Sequence, residues 1–391
     1  MKRVHSIDIL RALAIGWMVQ IHFVDNLGYS SQHDTFIYSI AGWLGIVPAP
    51  LFTFLAGMSL FISLSKYPPE TGRRQTLRRG LAVFVIGLVH YLINWGAEYL
   101  LDWDILTFIG SALLIVYLLR KVNLAGIVAI ILSIIAISPF LRVATGYNLH
   151  WNFILREYTH AWTLKDIFLG WSLQGYFPVL PWIIFPLAGY ATGRSVLGEN
   201  SPQRQRTRGW VTAGVGVAST AVGMLGVRDY MPYGYSSPTG LRPTEWVRPT
   251  MWGVHLSPIT FYPASTTYLL ILLGICLTSF AGLWLLLDAV SQSPWRAKWE
   301  QSRLFTVVQR YSRYSLSVYV IHHSVHLWPL YLAGWLYAGD RWYYYADAIP
   351  MWIALSLWGL FIAAFYFVVA RWEKVNGRYS LEWVLARFVK G

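Results

Sequence analysis

The chain has 391 residues, of which 56% are hydrophobic and only 13% are charged. Soluble domains carry about 25% charged residues, so this composition excludes an ordinary soluble globular protein and favours a chain that meets lipid. The 21 Trp and 25 Tyr residues fit aromatic belts at two membrane interfaces. A single cysteine, Cys276, excludes an intramolecular disulfide framework and a cysteine-based zinc site.

Apolar segments of membrane-spanning length recur along the chain. The first could be mistaken for a signal peptide, but Asp8, Arg11 and His22 interrupt its apolar run, so we interpret it as a span. A span needs about 20 mostly apolar residues. The predicted spans lie near residues 8–26, 46–65, 80–97, 104–120, 123–141, 177–195, 209–227, 266–290, 314–337 and 349–371. The predicted fold class is therefore all-α, a polytopic membrane bundle of about ten transmembrane helices.

Basic residues are distributed unequally between the two sides of this bundle. Segments on one side carry 23 Lys and Arg residues, and segments on the other side carry 7. The positive-inside rule then places both termini in the cytoplasm, and we expect the plasma (inner) membrane. The net charge of +13 is accordingly an orientation signal and a lipid-headgroup contact. No nucleic-acid motif is present, so no nucleic-acid partner is expected.

The extramembrane segments are short except for two predicted outer loops, at about 142–176 and 228–265. In the first loop, residues 151–158 are predicted to lie as an interfacial helix. The tail at about 373–391 alternates apolar and basic residues at helical spacing, and we expect it on the inner leaflet. No tandem repeat or separate soluble domain is evident, so residues 1–391 are predicted to form one membrane domain.

Polar residues inside the first span are the leading functional clue, because ionisable groups within a membrane usually face a cavity or a partner. At 100° per residue, Arg11, His22 and Asp25 share one stripe of the helix. His22 and Asp25 are three residues apart, and a carboxylate beside an imidazole can prepare it as a general base. The alternative is that both residues only cap the helix. For Arg11, pairing with Asp8 or lipid headgroups is the alternative to a chemical role.

The ninth span carries three histidines. His322 and His326 are four residues apart and share a face with Tyr319 nearby. This spacing is compatible with a metal, but no His-Glu-x-x-His pattern or nearby carboxylate accompanies it, so no metal site is predicted. We expect these side chains to contact substrate or to relay protons, and histidines near a membrane interface are the alternative.

Two further groups of residues are candidates for binding or catalysis. His33 lies in the first outer loop, close in sequence to the outer end of the first span. The cytoplasmic run that precedes the third span could hold the phosphates of an anionic ligand, although topology alone also accounts for it. Its four arginines are Arg73, Arg74, Arg78 and Arg79.

Five segments together resemble a known family. Residues 6–15 (SIDILRALAI), followed by His22, resemble the opening helix of transmembrane acyltransferases, and residues 50–59 (PLFTFLAGMS) are similar to their second span. Residues 176–182 (YFPVLPW) with 189–194 (GYATGR), then 262–269 (YPASTTYL) and 314–322 (YSLSVYVIH), resemble the heparan-α-glucosaminide N-acetyltransferase-like family. Ala264 departs from that family's pattern, and His33 is a nearby substitute for its loop histidine.

The resemblance implies ten or eleven helices and an acyl-CoA donor, acetyl-CoA or another, held from the cytoplasm as a co-substrate with no tightly bound cofactor. It implies that His22, helped by Asp25 or His33, deprotonates a sugar or glycolipid amine or hydroxyl on the outer side. The predicted binding residues are Arg11, Arg73, Arg74, Arg78, Arg79, Trp182, Tyr319, His322 and His326. The lipid bilayer, the cell-envelope acceptor and a second copy of the chain in a homodimer are the expected partners.

Two other function classes fit the same residues. A proton-coupled transporter or flippase would use the intramembrane Arg, Asp and His residues to move its cargo, but the inverted repeats typical of transporters are not evident. A non-catalytic sensor or scaffold is supported only by the long outer loops.

Overall fold

The computed structural model describes residues 3–33, 35–152, 157–226, 259–289 and 294–390. Its helices are α1 (His5–Leu27), α2 (Phe36–Gly45), α3 (Pro48–Lys66), α4 (Pro69–Asn94), α5 (Ile105–Leu118), α6 (Leu124–Ala144), α7 (Leu164–Leu169), α8 (Val179–Trp182), α9 (Ile184–Thr192), α10 (Pro202–Leu225), α11 (Thr266–Leu287), α12 (Pro294–Glu300), α13 (Arg303–Arg313), α14 (Ser315–Ala338), α15 (Met351–Lys374) and α16 (Leu381–Lys390). Two short strands, β1 (Trp151–Asn152) and β2 (Glu157–Tyr158), form an antiparallel pair.

The predicted helical membrane bundle is confirmed, and the number of spans is not. Every predicted span overlaps a helix, but in the described residues seven segments are long and apolar enough to cross a membrane. Those segments are His5–Leu27, Phe36–Lys66, Pro69–Asn94, Leu124–Ala144, Leu164–Leu197, Thr266–Leu287 and Met351–Lys374. The other helices at predicted spans are α5, α10 and α14. With 14 residues, α5 is about 21 Å long, which is shorter than the hydrocarbon core.

Helix α1 is central, since it packs against α3, α11, α13, α14 and α15. Its first turn is fixed by Asp288, which follows α11. The two carboxylate oxygens of Asp288 accept hydrogen bonds from the backbone N–H groups of His5 and Ser6, each at 2.9 Å. A carboxylate at a helix N-terminus satisfies donors that have no partner within the helix and complements the helix dipole. This contact therefore fixes the N-terminus of α1, the helix that carries Arg11, His22 and Asp25.

Helices α3 and α9 pack with their backbones in contact. A Cβ atom added at Gly57 would lie 2.0 Å from the carbonyl oxygen of Pro186, and one added at Gly189 would lie 1.8 Å from that of Phe54. Both distances are far inside van der Waals contact, so each position requires glycine. Gly57 and Gly189 belong to two of the segments that resemble the acyltransferases. The close helix packing explains why each of these two segments has glycine at that position.

One prediction for the first outer loop is wrong. The described ends of the predicted interfacial helix at 151–158 are strands, in which Trp151 pairs with Tyr158. The indole Nε1–H of Trp151 donates to the carbonyl oxygen of Gln174 at 2.6 Å, which holds this pair against the bundle. The predicted span at 177–195 overlaps α8 and α9, and it belongs to a longer helical segment, Leu164–Leu197, with a break near Pro178. Most of the predicted loop at 228–265 lies outside the described residues.

The C-terminal helix anchors α14. The Glu382 carboxylate accepts hydrogen bonds from the backbone N–H groups of Leu316 and Ser317 at 2.8 and 3.0 Å, and from the Ser317 hydroxyl at 2.5 Å. The Ser317 hydroxyl oxygen also accepts a hydrogen bond from the backbone N–H of Leu381 at 2.8 Å. The tail predicted at about 373–391 is thus helical over α16. It contacts α4 and α14, while its position on the inner leaflet stays a prediction.

Candidate active site

Five histidines from three helices meet inside the bundle. His22 comes from α1, His90 from α4, and His322, His323 and His326 from α14. The ring centroids of His22 and His323 are 4.4 Å apart, and those of His90 and His323 are 5.0 Å apart. We call these five residues the histidine cluster. His22 is half-buried and the other four are buried, so His22 is the most exposed member of the cluster.

The hydrogen bonds of the cluster assign its tautomers. The Nδ1 atom of His322 lies 3.2 Å from the carbonyl oxygen of Val318. A carbonyl oxygen only accepts, so Nδ1 of the neutral His322 ring carries the proton and Nε2 is an acceptor. The Nδ1 atom of His22 lies 2.8 Å from that Nε2 atom and therefore donates to it. The Nε2 atom of His22 is left with a lone pair, which is the form that a general base needs.

His326 follows the same pattern. Its Nδ1 atom donates to the carbonyl oxygen of His322 at 2.7 Å, and its Nε2 atom accepts from the Asn26 amide at 2.9 Å. The Asn26 side-chain oxygen in turn accepts from the hydroxyl of Tyr345 at 3.1 Å. The sequence predicts that His322 and His326 share a face of their helix, and their rings do lie close together in the cluster, with centroids 5.8 Å apart. The contacts of His326 form a second hydrogen-bonded row that joins α14 to α1.

Asp25 and His33 meet at a different side chain. The hydroxyl of Tyr38 donates to a carboxylate oxygen of Asp25 at 3.0 Å, and the ring of His33 stacks on Tyr38 with centroids 4.1 Å apart. At Nδ1, the partner of His22 is His322. The role of Asp25 and His33 as helpers of His22 therefore stays a prediction, and Tyr38 is a residue that sequence reasoning missed.

His90 was also missed as a functional candidate. The amide of Asn94 donates to its Nδ1 atom at 3.1 Å, and the Ser324 hydroxyl donates to the Asn94 oxygen at 3.0 Å. The Nε2 atom of His90 therefore carries the proton, and it is buried with no partner among the described residues. The Nδ1 atom of His323 is unpaired in the same way. The rule applied to the first span would have found His90, because it lies in a predicted span as well.

Tyr319 is bonded to a buried carboxylate. Its hydroxyl lies 3.1 and 3.0 Å from the two oxygens of Asp104, and its ring lies 5.7 Å from that of His322. Asp104 also caps α5 through the backbone N–H of Leu106. Asp104 therefore contacts both the first turn of α5 and the phenol beside the histidine cluster.

Arg11 lies at the other end of α1. Its guanidinium donates to the hydroxyl of Ser59 at 2.9 Å and to that of Ser312 at 3.4 Å. Asp8 accepts from Ser312 at 2.6 Å and forms its ion pair with Arg3. The expected pairing of Arg11 with Asp8 thus runs through Ser312. Eleven residues of helix separate Arg11 from His22, which is about 16 Å along the axis.

The four arginines of α4 lie at the same end of the bundle as Arg11, and we call this end the basic end. Arg73 and Arg74 are exposed, while Arg78 and Arg79 are half-buried. Arg78 reaches the carbonyl oxygen of Phe388 in α16 at 3.5 Å. The positive charge of Arg79 acts on Arg11, and the Asp8 carboxylate opposes it. Exposed guanidinium groups such as those of Arg73 and Arg74 can bind an anionic ligand.

Trp182 lies at a small aromatic cavity of about 10 Å³, not in the histidine cluster. It is fully buried and packs against Phe177 and Phe261, with centroids 4.9 and 5.3 Å away. A second, apolar cavity, too small to hold a water molecule, lies between α3, α5 and α9. His22 lines neither of these two cavities. A continuous tunnel from Arg11 to His22 stays a prediction.

Three of the histidines are close enough together to be considered as metal ligands. His22, His322 and His323 each offer a ring nitrogen, and these atoms lie within 4.8 Å of one another. Two nitrogens on one tetrahedral zinc ion, each at 2.0–2.1 Å, would be about 3.3 Å apart. The 2.8 Å between His22 and His322 is instead a hydrogen-bond distance. The geometry favours base chemistry, and the sequence-based expectation of no metal stays a prediction.

Comparison with known protein families gives one match. Residues 3–226 match the family model of the heparan-α-glucosaminide N-acetyltransferase catalytic domain. A search of curated proteins finds no match. The matched region contains α1 with His22, the basic end of α4 and the α3–α9 contact. Since it covers more than half of the chain, the protein belongs to the heparan-α-glucosaminide N-acetyltransferase family.

Proposed function

We propose that this membrane protein transfers an acetyl group from cytoplasmic acetyl-CoA to an amine or hydroxyl of a sugar or glycolipid on the opposite side of the membrane. Membership of an N-acetyltransferase family supports the type of reaction. The observation that carries the proposal is the hydrogen bond between His22 Nδ1 and His322 Nε2, because it leaves the Nε2 atom of His22 as a base.

The basic end would hold the donor. Arg11 and Arg79 are the neighbouring cations there, and the exposed Arg73 and Arg74 lie on the same helix as Arg79. Guanidinium groups bind phosphates through paired hydrogen bonds, so these residues suit the phosphates of CoA. The positive-inside rule puts this end in the cytoplasm. The thioester would then extend about 16 Å along α1 from Arg11 to His22.

The transfer step would need no covalent enzyme intermediate. The Nε2 atom of His22 takes the proton of the acceptor as its nitrogen or oxygen attacks the thioester carbonyl. The new bond to the acyl carbon forms, the carbon–sulfur bond breaks, and CoA leaves as a thiolate that takes up the proton. The Nε2–H of His90 and the unpaired ring nitrogen of His323 are candidate donors to the carbonyl oxygen. The single cysteine, Cys276, is buried in α11.

The test is acetyl-CoA-dependent transfer by the purified protein in lipid nanodiscs. His22→Ala should lower kcat by about 100-fold to 10,000-fold, the usual contribution of a general base. The matched control is His150→Ala, since His150 lies outside the histidine cluster and bonds to Thr159. Wild-type turnover by His22→Ala would remove His22 as the base. Absence of turnover by the wild type, with proton-coupled uptake into vesicles, would favour a transporter instead.

A further inference from the structure

The strand pair β1–β2 and its neighbours, residues 147–152 and 157–162, meet the bundle at Asp102, and we call these residues the flap. The side chain of His160 in the flap is 6% exposed, and its Nε2 atom lies 3.8 Å from Oδ1 of Asp102. That distance exceeds a hydrogen bond. The flap and the bundle therefore approach each other here through two ionisable side chains that do not bond to one another.

Two further buried polar groups beside this contact lack hydrogen bonds. The indole Nε1–H of Trp103 and the hydroxyl of Tyr158 have no partner in the described part of the chain. Both lie beside Gly170, because a Cβ atom added there would be 2.7 Å from the indole nitrogen and 2.8 Å from the phenol oxygen. A buried polar group without a partner costs free energy that hydration would restore. The closed flap is therefore one of the less stable parts of the fold and is poised to open.

The backbone of Trp103 is strained at the same place. Its φ angle is 63°, in the left-handed region where a bulky side chain is an outlier. Two glycines make room for its indole, because a Cβ atom at Gly170 or Gly175 would lie 2.7 or 2.8 Å from indole atoms. The turn Gly170–Gln174 is π-helical, a geometry that is frequent at functional sites. Strain of this kind persists only while the surrounding contacts hold it.

Residues 102–104 join the flap to the histidine cluster. The carbonyl oxygen of Asp102 accepts a hydrogen bond from the backbone N–H of Tyr176 at 2.9 Å. The side chain of Asp104, two residues later, accepts from the Tyr319 hydroxyl beside the histidine cluster. A change in the backbone at Trp103 would therefore move a side chain that contacts the candidate active site.

The charge of His160 bears on whether the flap stays closed. Burial lowers the pKa of His160 below its ordinary value of 6.5, and His150 adds to this shift, while the Ala161 backbone and Asp166 oppose it. The other titratable groups that face this ring are Asp102 and Tyr158. A histidine whose pKa is lowered by burial is neutral in the closed flap. The closed state therefore loses stability as pH falls below about 6.5.

We propose that His160 is an acid-sensitive latch, in which proton uptake by the ring opens the flap and releases Trp103 from its two glycines. The charged ring needs an acceptor for each N–H group, and Asp102 at 3.8 Å is too far away to be one. Water supplies these acceptors once the ring leaves the bundle. Water also reaches the unpaired groups of Trp103 and Tyr158 in the open state. None of these steps depends on the proposed acetyl transfer.

Hydrogen–deuterium exchange of the full-length protein in nanodiscs, without substrate, tests the latch. The Thr159 amide reports on the flap, since it donates to the carbonyl oxygen of His150, and the Tyr176 amide reports on its acceptor, Asp102. After correction for intrinsic exchange rates, protection of both amides should fall between about pH 7 and pH 5. One proton accounts for up to about tenfold per pH unit. The Ile127 amide in α6, bonded to Asn123, should not respond.

Variants separate His160 from other causes of pH dependence. His160→Gln removes the titrating ring, so protection of Thr159 and Tyr176 should no longer depend on pH, and His160→Phe replaces this variant if it does not fold. His150→Gln is the matched control, because His150 lies in the same flap and contacts Thr159, and it should keep the pH dependence.

Three results would overturn the latch. They are wild-type protection that stays constant or rises toward acid pH, pH dependence that persists without the His160 ring, and pH dependence that disappears in His150→Gln. Loss of protection at Thr159 without loss at Tyr176 would overturn the release of Trp103. Each result is read without acyl-CoA, so failed acetyl transfer would overturn the proposed function and leave the latch standing.

Discussion

The Nδ1 atom of His22 and the Nε2 atom of His322 lie 2.8 Å apart, although 300 positions separate the two residues in the sequence. The bond joins the central helix α1 to α14 at the middle of the histidine cluster. Because Val318 fixes the tautomer of His322, the backbone of α14 determines that the free lone pair of His22 is on Nε2. In the proposed mechanism, His322 would take the orienting role that a carboxylate has in many enzymes.

Replacing His322 should slow transfer without weakening donor binding. His322→Leu removes the acceptor for His22 Nδ1–H, so we expect kcat to fall by about tenfold to hundredfold, as for one lost buried hydrogen bond. The KM for acetyl-CoA should change little, because the basic end is untouched. His322→Gln keeps an acceptor oxygen and should restore part of kcat. Equal rates for the Leu variant and the wild type would contradict the orienting role.

Tyr319→Phe should destabilise the fold. The hydroxyl of Tyr319 is bonded to both oxygens of Asp104, and that carboxylate is buried. Removing the donor should cost about 1–3 kcal/mol of unfolding free energy. The double variant Tyr319→Phe with Asp104→Asn should recover part of this loss, because the buried charge is gone. Thermal unfolding in detergent measures both effects, and additive losses would show that the two side chains are not coupled.

The glycine contact between α3 and α9 should tolerate no side chain. Gly57→Ala and Gly189→Ala would each place a methyl group within 2.0 Å of a carbonyl oxygen. We expect each to lower the unfolding free energy by about 1–3 kcal/mol or to prevent folding. Gly282→Ala in α11 is the matched control, since its Cβ would meet nothing within 4 Å. That variant should be neutral or more stable by up to about 1 kcal/mol.

The bond between α16 and α14 should depend on Glu382. Glu382→Ala removes the acceptor for two backbone N–H groups and should cost about 1–2 kcal/mol, as for other helix caps. Glu382→Gln keeps an acceptor oxygen and should cost less. Thermal unfolding midpoints measure the difference, with Lys390→Ala, at the end of the same helix, as the control. Equal midpoints for Glu382→Ala and the wild type would show that the cap contributes nothing.

The same residue gives a pH dependence with a definite sign. Burial raises the pKa of Glu382 above its ordinary value of 4.5, while the hydrogen bonds from Ser317 oppose the shift. A carboxyl whose pKa is raised in the folded state favours the protonated form, so its contribution is lost as pH rises above about 4.5. The stability of the wild type relative to Glu382→Gln should therefore fall as pH rises from about 4.5 through the raised pKa of Glu382. A difference that rises with pH would contradict this pKa shift.

The fold was largely predictable from sequence because the bilayer imposes a simple rule of length and hydrophobicity. Each predicted span overlaps a helix, including α1 and α15 at the two ends of the bundle. The rule fails where segments are short or polar. Helix α5 is too short to be recognised as a membrane span by its length. Helix α14 is less apolar than a typical span because it carries three histidines of the candidate site. Trp151 and Tyr158, at the two ends of a predicted interfacial helix, instead pair across two strands, and Trp151 also bonds to the Gln174 carbonyl, a contact that sequence alone does not reveal.

The candidate site was predictable one helix at a time. The periodicity of α1 predicts that Arg11 and His22 share a stripe, and the spacing in α14 groups His322 with His326. Which residues of different helices meet was not predictable, because that depends on packing. Helical spacing predicts that Asp25 acts with His22, and it gives no sign of the bond between Asp25 and Tyr38. His90 joins the cluster from α4, and nothing in its local sequence points toward α14.

Backbone contact between α3 and α9 also limits how this protein can move. Helices that touch through carbonyl groups at glycine positions have no side chains between them to rearrange, so they should act as one rigid unit. Helices α10 and α11 also approach closely, since a Cβ atom added at Gly216 or Gly274 would lie 2.3 or 2.1 Å from the hydroxyl of Thr278 or Thr220 on the facing helix. Under the proposed function, a conformational change that admits a donor and an acceptor would then occur between other helices. The boundary of α1 with α14, where histidine rings and hydrogen bonds make the contact, is one such boundary.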